Sequence, residues 1–204
     1  MSTPATDRIL TAANENGSVL PSVPLRDIVS ALDAELRTRD IPDYPGAVNG
    51  LQVANPGTVH RVAVAVDASR AAIAEAVVSG ADLLIVHHGL FWSGVQPLVG
   101  IPYEKFRSIL GSGLAVYASH LPLDLHAEHG NNVRLAQALG LTPDGGFARF
   151  KTVDIGVTGT ANEPTDDVVH RVQAFSARYG GSVRTSIPAQ GRRTHRWATA
   201  LCRN

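Results

Sequence analysis

The residues of this chain best suited to chemistry are three histidines and one aspartate that follow two aliphatic runs. They are His87 and His88, after residues 83–86, and His120 and Asp124, after residues 114–118. Imidazole and carboxylate ligands together suit Zn, Fe, Mn, Ni or Co rather than Ca or Mg. Two such ions about 3.5–4 Å apart orient water for hydrolysis. The sequence therefore predicts a transition-metal site with His87, His88 and Asp124 as ligands.

Two features leave alternatives open at this site. Neighbouring side chains of a strand point to opposite sides, so one ion binds both His87 and His88 only if the backbone turns there. Alternatively, two neighbouring ions can each bind one of the two histidines. The other interpretation is that His87 and His88 bind no metal and are simply polar residues at the end of a strand; we favour metal ligands. Pro122 excludes a regular helical pairing of His120 with Asp124. His120 is a candidate ligand, proton carrier or hydrogen-bond donor to Asp124, and we predict a catalytic role.

The elements that must position these side chains form a parallel α/β pattern. The run Leu83–Val86 is typical of a strand buried on both faces. Strands at Val62–Val66 and Leu114–Ala118 flank it in sequence, with helical periodicity between them. Ligands of such sheets bind at the carboxyl edge. Asp67 lies at that edge, where it either orients a ligand histidine or caps the next helix.

We predict an α/β fold with a parallel-sheet lobe and flanking helices, followed by an incomplete second α/β lobe. The expected divisions are a flexible extension at 1–20, a metal-binding lobe at 21–142, a partial second lobe at 143–189 and an irregular basic tail at 190–204. A strand at Gly181–Ile187 belongs to the second lobe. Seven arginines and no acidic residue follow Asp167. Contact with nucleic acid or phosphate is one interpretation of this tail, but because the basic residues are not interleaved with a platform for base stacking, we favour a tail without such a function.

The composition narrows the function classes. The chain has 204 residues, 44% of them hydrophobic, and its Lys+Arg and Asp+Glu totals are both 18. This balance gives no electrostatic reason to expect nucleic acid or an anionic membrane as a partner. No apolar stretch is long enough for a membrane span, and the N-terminus lacks a signal-peptide pattern. With Cys202 as the single cysteine, a cytoplasmic location is expected.

Several ordered stretches resemble one known family. They are residues 49–53, 62–67, 80–91, 115–120 with Leu123-Asp124, and 130–141. Together they resemble the NIF-type dinuclear metal-centre proteins, the GTP cyclohydrolase I type 2 homologues, over about residues 25–160. The resemblance implies two similar α/β lobes with two metal ions between them. It also implies a ring-shaped homohexamer and, by one proposal, hydrolytic opening of the GTP ring.

The resemblance also assigns roles to individual residues. His87 and His88 match the paired ligands of the family, Asp124 matches its carboxylate ligand, and His120 matches the histidine that opens the same motif. The family adds a histidine and a glutamate spaced H-x-x-x-E near its C-terminus. Here His195 is followed four residues later by Thr199, and no glutamate follows Glu163. We therefore expect a truncated or altered C-terminus and fewer than two well-held ions per chain.

Two functions follow from these residues. The first is a metal-dependent hydrolase of a nucleotide-like small molecule, with His120 as proton carrier. The second is a non-enzymatic metal-binding or interaction protein with an incomplete site. An enzyme needs an open coordination position and a substrate pocket, whereas metal binding needs the ligands alone.

Overall fold

The computed structural model describes residues 22–186 and 191–201. The extension predicted at residues 1–20 lies outside this range. The elements, in chain order, are β1 (Val23–Pro24), α1 (Leu25–Glu35), a 3-10 helix (Pro45–Ala47), β2 (Gly50–Val53), β3 (Thr58–Val59), β4 (Val62–Asp67), α2 (Arg70–Val78), β5 (Leu83–His88), α3 (Gly100–Ser112), β6 (Ala115–Ala118), α4 (Leu121–Asp124), α5 (Asn131–Ala138), β7 (Gly145–Phe150), β8 (Val153–Pro164), α6 (Thr165–Arg178) and β9 (Arg193–Thr199).

The chain divides into two compact units, with the boundary after Pro122 rather than after residue 142. The first unit contains a four-stranded sheet in the order β2-β6-β5-β4. Strands β4, β5 and β6 are parallel, as predicted, and β2 adds an antiparallel edge. Strand β5 lies between two parallel neighbours, which explains its unbroken aliphatic run.

The core of the first unit lies between this sheet and two helices. Helices α2 and α3 connect the parallel strands, and Ile73, Ala76 and Ile109 pack with Leu84 and Val116 in one buried cluster. Burial of this apolar surface holds the carboxyl ends of the strands in place. The Oγ atom of Ser69 accepts from the backbone N–H of Ala72 at 3.1 Å and caps α2. Asp67 is therefore not the cap of this helix.

The second unit contains an antiparallel sheet in the order β7-β8-β9, together with helices α5 and α6. Its core combines Ala136, Leu139, Leu141 and Trp197. This confirms a second α/β set after the parallel sheet, although its own sheet is antiparallel. Within the described residues no helix is long and apolar enough to span a membrane.

Two predictions for the C-terminal part are wrong. Residues 193–199, expected to be irregular, form strand β9, which pairs with β8 and buries Trp197 opposite Gly159. These residues become a strand because they pair with β8, and their arginine-rich sequence carries no local signal of that pairing. Residues 181–186 of the predicted strand at 181–187 form neither helix nor strand. Gly180, with φ +73°, ends α6 in a conformation that favours glycine.

Candidate metal centre

Three histidine rings meet at the carboxyl edge of the parallel sheet. Strand β5 ends at His88, and β6 ends two residues before His120. Ring centroids are 4.6 Å apart for His87 and His88, 4.9 Å for His87 and His120, and 5.5 Å for His88 and His120. One nitrogen from each ring lies within 4.8 Å of the others. The structure thus assembles three of the four residues that the sequence identified.

The adjacent histidines are closer than strand alternation predicts. Their rings are tilted by 48° and nearly in contact. His88 is the last residue of β5, so no further strand residue imposes the alternation beyond it. The two rings therefore lie side by side at the strand end, and both border one small region.

Each histidine is held by its Nδ1 atom. His87 Nδ1 lies 3.0 Å from the carbonyl oxygen of Ser119 and His88 Nδ1 lies 2.6 Å from Oδ1 of Asp67. His120 Nδ1 lies 2.8 Å from Oδ1 of Asp43. Carbonyl and carboxylate oxygens accept, so each Nδ1 carries the proton and donates. The Nε2 atom is then the nitrogen of each ring with a lone pair for a metal or a proton.

Asp43 is the most extensively bonded carboxylate of this centre. Its oxygens accept from His120 Nδ1, Asn49 Nδ2 and the backbone N–H groups of Tyr44 and Leu121, at 2.7–2.9 Å. Burial is the largest single influence and raises the pKa of Asp43, but the four hydrogen bonds together hold that pKa below its usual value of 3.8. Asp43 is therefore an ionised acceptor at neutral pH.

His120 lies inside an aromatic enclosure. The edge of the Trp92 ring faces it at a centroid distance of 4.6 Å, and Tyr44 lies 6.1 Å away. Only 1% of His120 is exposed, and no described residue gives its Nε2 a hydrogen-bond partner. A buried nitrogen of this kind requires a partner. A metal ion, a water molecule or a substrate would supply one.

These residues fit a divalent transition metal. Imidazole nitrogens bind such ions at about 2.0–2.1 Å, so two ligands of one ion lie at most about 4.2 Å apart. Separations of up to 4.8 Å among the three nitrogens suit one ion after a small adjustment, or two neighbouring ions. The carbonyl and carboxylate groups behind the rings are those that orient metal-binding histidines.

The chain belongs to a family recognised by its sequence. The family model described as Duf34/NIF3 (NGG1p interacting factor 3) matches residues 23–195. The chain is a member of the Duf34/NIF3 family. This confirms the resemblance drawn from the ordered stretches around His87, His88 and His120.

Relatives of this NIF3-family chain are named only as homologs of an enzyme. The GTP cyclohydrolase 1 type 2 homolog of Treponema pallidum is 45% identical over 132 residues, which cover 64% of this chain and 46% of that relative. The protein of the same name from Pyrococcus abyssi is 43% identical over 138 residues, 68% and 54% of the two chains. This chain thus spans about half the length of these relatives.

A solved structure shares the fold. The ybgI protein, described as of unknown function, is 32% identical, with a TM-score of 0.73, over 86% of this chain and 68% of that one. The similarity supports the mixed α/β architecture of the NIF3-family chain.

Asp124 lies in the second unit, at the end of α4. It is buried, and its Oδ1 accepts from Asn131 Nδ2 at 2.8 Å. Its role as a ligand stays a prediction from sequence. In the same unit, His126 Nδ1 accepts from the backbone N–H groups of Glu128 and His129, so it holds a turn, and His129 is exposed.

Sequence reasoning missed the residues that hold His120. Asp43 lies in a loop without periodicity, 77 positions before His120. Asn49 was noted as part of the resemblance but without a role; its Oδ1 accepts from the backbone N–H of His120 at 2.8 Å. No spacing rule links such distant polar residues. Asp67 was identified with two alternatives, and its contact with His88 favours the orienting role.

Proposed function

We propose that this NIF3-family protein is a metal-dependent hydrolase of a nucleotide-like small molecule. His87 and His88 are the proposed ligands in the first unit, and Asp124 is the carboxylate that the sequence predicts in addition. A divalent transition metal held by His87 and His88 would act as a Lewis acid toward water and the reacting group of the substrate.

One observation carries the proposal. One nitrogen from each of the three rings lies within 4.8 Å of the others, while a carbonyl and two carboxylates bind the three Nδ1 atoms. Core histidines with a purely structural role use both ring nitrogens in hydrogen bonds to the protein, because an unpartnered buried nitrogen is costly. The Nε2 atom of His120 has no such bond among the described residues.

The reaction class requires only water. In hydrolysis the oxygen of water bonds to the carbon under attack, the bond to the leaving atom breaks, and a proton moves from water to that atom. No oxidant or reductant is needed. His120 is suited to carry this proton because its Nε2 is buried beside the two ligands and Asp43 fixes its Nδ1–H tautomer.

The nucleotide-like substrate rests on the names of the relatives, which are homologs of a GTP cyclohydrolase. The alternative is a metal-binding or interaction protein without catalysis. The sequence favours this alternative at one point, since Thr199 stands where the family pattern places a glutamate after His195.

The test is GTP turnover by the purified chain with added Mn or Zn, followed by chromatography of the products. We expect turnover to require the metal and to disappear in His88→Ala. The His120→Gln variant should keep its metal but lose about 10²–10⁴-fold in rate, the usual contribution of a positioned proton carrier.

His60→Gln is the matched control, because His60 is half-exposed and pairs with Asp82 at 3.5 Å away from the metal centre. It should retain full turnover. Metal binding without turnover of GTP or other nucleotides would support the non-enzymatic alternative. Loss of the metal from His120→Gln would make His120 a third ligand rather than a proton carrier.

A further inference from the structure

A cavity of about 440 Å³ lies in the segment that directly follows His88. This volume is within the range of pockets that bind small organic molecules. All described residues that line it come from positions 90–106, so one loop and the first part of α3 build it. The cavity is thus a local feature of the first unit.

One wall residue of this cavity is next in sequence to an aromatic residue that lies against the candidate metal centre. Phe91 lines the cavity and lies 6.1 Å, centroid to centroid, from Phe106, another lining residue. The next residue, Trp92, lies against His88 at 5.5 Å and His120 at 4.6 Å. Two consecutive aromatic residues therefore contribute to the two sites: Phe91 lines the cavity, and Trp92 lies against the histidines.

The cavity is lined mainly by apolar residues and has one cation among its described lining residues. Among its described lining residues, Lys105 alone is charged, and the others include Leu90, Leu98 and Ile101. Burial lowers the pKa of Lys105, an effect that the negative charge of Asp67 partly opposes. Asp67 already accepts from His88 at 2.6 Å. Within the described part of the chain Lys105 forms no hydrogen bond, so its ammonium group is available to a ligand.

We propose that this cavity is the substrate-recognition site beside the metal centre and that it binds an organic anion with a flat apolar body. The anionic group pairs with Lys105, and the apolar body packs against Phe91 and Phe106. The word substrate rests on the proposed hydrolase function, whereas the binding of such an anion does not. A partly buried ammonium favours an anion because the pair is screened less than at the open surface.

Two fluorescent probes of similar shape test the inference on the 204-residue chain incubated with Zn²⁺. They are 8-anilinonaphthalene-1-sulfonate, which is anionic, and N-phenyl-1-naphthylamine, which is neutral. We expect Lys105→Met to weaken binding of the anionic probe by about tenfold, the effect of one charge-assisted contact. Binding of the neutral probe should change by less than about twofold, since methionine preserves the apolar wall.

Arg107→Met is the matched control, because Arg107 is an exposed cation on the same helix that lies over Tyr103 and does not line the cavity. It should leave both probes unaffected. Equal losses in the two variants, or equal losses of both probes in Lys105→Met, would overturn the proposal. So would anionic-probe binding that disappears as protein concentration rises, because a second copy would then cover the cavity.

Metal content measured on the same samples separates this inference from the proposed function. Lys105→Met should retain the wild-type amount. If the chain binds the anionic probe through Lys105 but holds no metal, the proposed hydrolase function is ruled out and the anion-binding site is retained. A chain that holds metal but shows no Lys105-dependent difference between the probes would do the opposite.

Discussion

The carboxylate of Asp43 accepts a hydrogen bond from His120 Nδ1 at 2.8 Å, although the two residues are 77 positions apart in the chain. Both side chains are almost completely buried, with exposed fractions of 7% and 1%. Because Asp43 is ionised, it fixes the proton on Nδ1 and leaves the lone pair of the ring on Nε2, the nitrogen that could bind a metal in the candidate centre. This pair is the link between a non-periodic loop and the chemistry of the strand ends.

Asp43→Asn is expected to change the tautomer of His120. Asn49 and Leu121 donate to one carboxylate oxygen, and Tyr44 and His120 meet the other. An asparagine that keeps the first two contacts turns its NH₂ group toward His120, and one that turns it the other way offers His120 only a neutral amide oxygen, so the Nδ1 contact is lost or weakened. Imidazole ¹⁵N NMR should show the Nδ1–H form of His120 in the wild type and a mixture in the variant. Asp40→Asn, an exposed neighbour in the sequence, should match the wild type; an unchanged tautomer in Asp43→Asn would contradict this account.

Asp67→Asn should weaken metal binding without unfolding the chain. The carboxylate orients His88, and loss of such a partner commonly lowers metal affinity about 10–100-fold. Competition with a chromophoric chelator measures this affinity. Glu104→Gln removes another carboxylate, which forms a surface ion pair with Arg70, and should have no effect. Equal affinities of Asp67→Asn and the wild type would show that this contact does not support a ligand.

Gly89→Ala should destabilise the protein, because an added Cβ would collide with the side chain of Gln52. That amide donates to the carbonyl oxygens of Ala47 and Val48 and accepts from the N–H of Leu90. We expect a loss of about 1–3 kcal/mol in the free energy of unfolding. Urea denaturation would measure it.

The matched control for that substitution is Gly111→Ala. Gly111 lies in α3 with open space at its Cβ position, so alanine should be neutral or stabilising by up to about 1 kcal/mol. A neutral Gly89→Ala variant would mean that Gln52 moves freely and does not connect these loops.

The protein should lose stability at alkaline pH because of the raised pKa of Tyr117. Burial, the largest influence, and the hydrogen bond to Asp33 raise the pKa of Tyr117 well above its usual value of 10.0, while the bond to Thr38 opposes the shift. Above about pH 10 the unfolded tyrosine loses its proton and the folded one keeps it, so the free energy of unfolding falls as pH rises.

Urea denaturation between about pH 9 and 11 tests this sign. Tyr117→Phe should lose about 1–2 kcal/mol at neutral pH, because its hydroxyl contacts disappear, and should show a shallower alkaline decline. Tyr103→Phe, at an exposed position, should keep the wild-type slope. A Tyr117→Phe variant with an equally steep decline would assign that decline to other groups.

The parallel sheet could be predicted because its strands carry strong local signals. Leu83–Val86 is aliphatic throughout since β5 is the central strand of the three parallel ones, and the histidines follow because strand ends face the ligand edge. Strand β9 could not be predicted, because its arginine-rich sequence becomes a strand only by pairing with β8.

The candidate site shows the same division. His87, His88 and His120 follow predicted strands, so residue type and position identified them. Asp43 and Asn49 lie in an aperiodic loop, and only the folded chain brings them to His120. A polar residue in a loop carries no local signal of its long-range partner.

The most direct test of the central claim is metal content per chain, measured by elemental mass spectrometry on protein purified without chelator. Wild type and His170→Ala, which alters an exposed histidine of α6, should each hold roughly one to two transition-metal ions. The metal content of His88→Ala should be lower by at least about tenfold. No bound metal in the wild type, or equal content in all three proteins, would contradict the claim that these histidines form a metal centre.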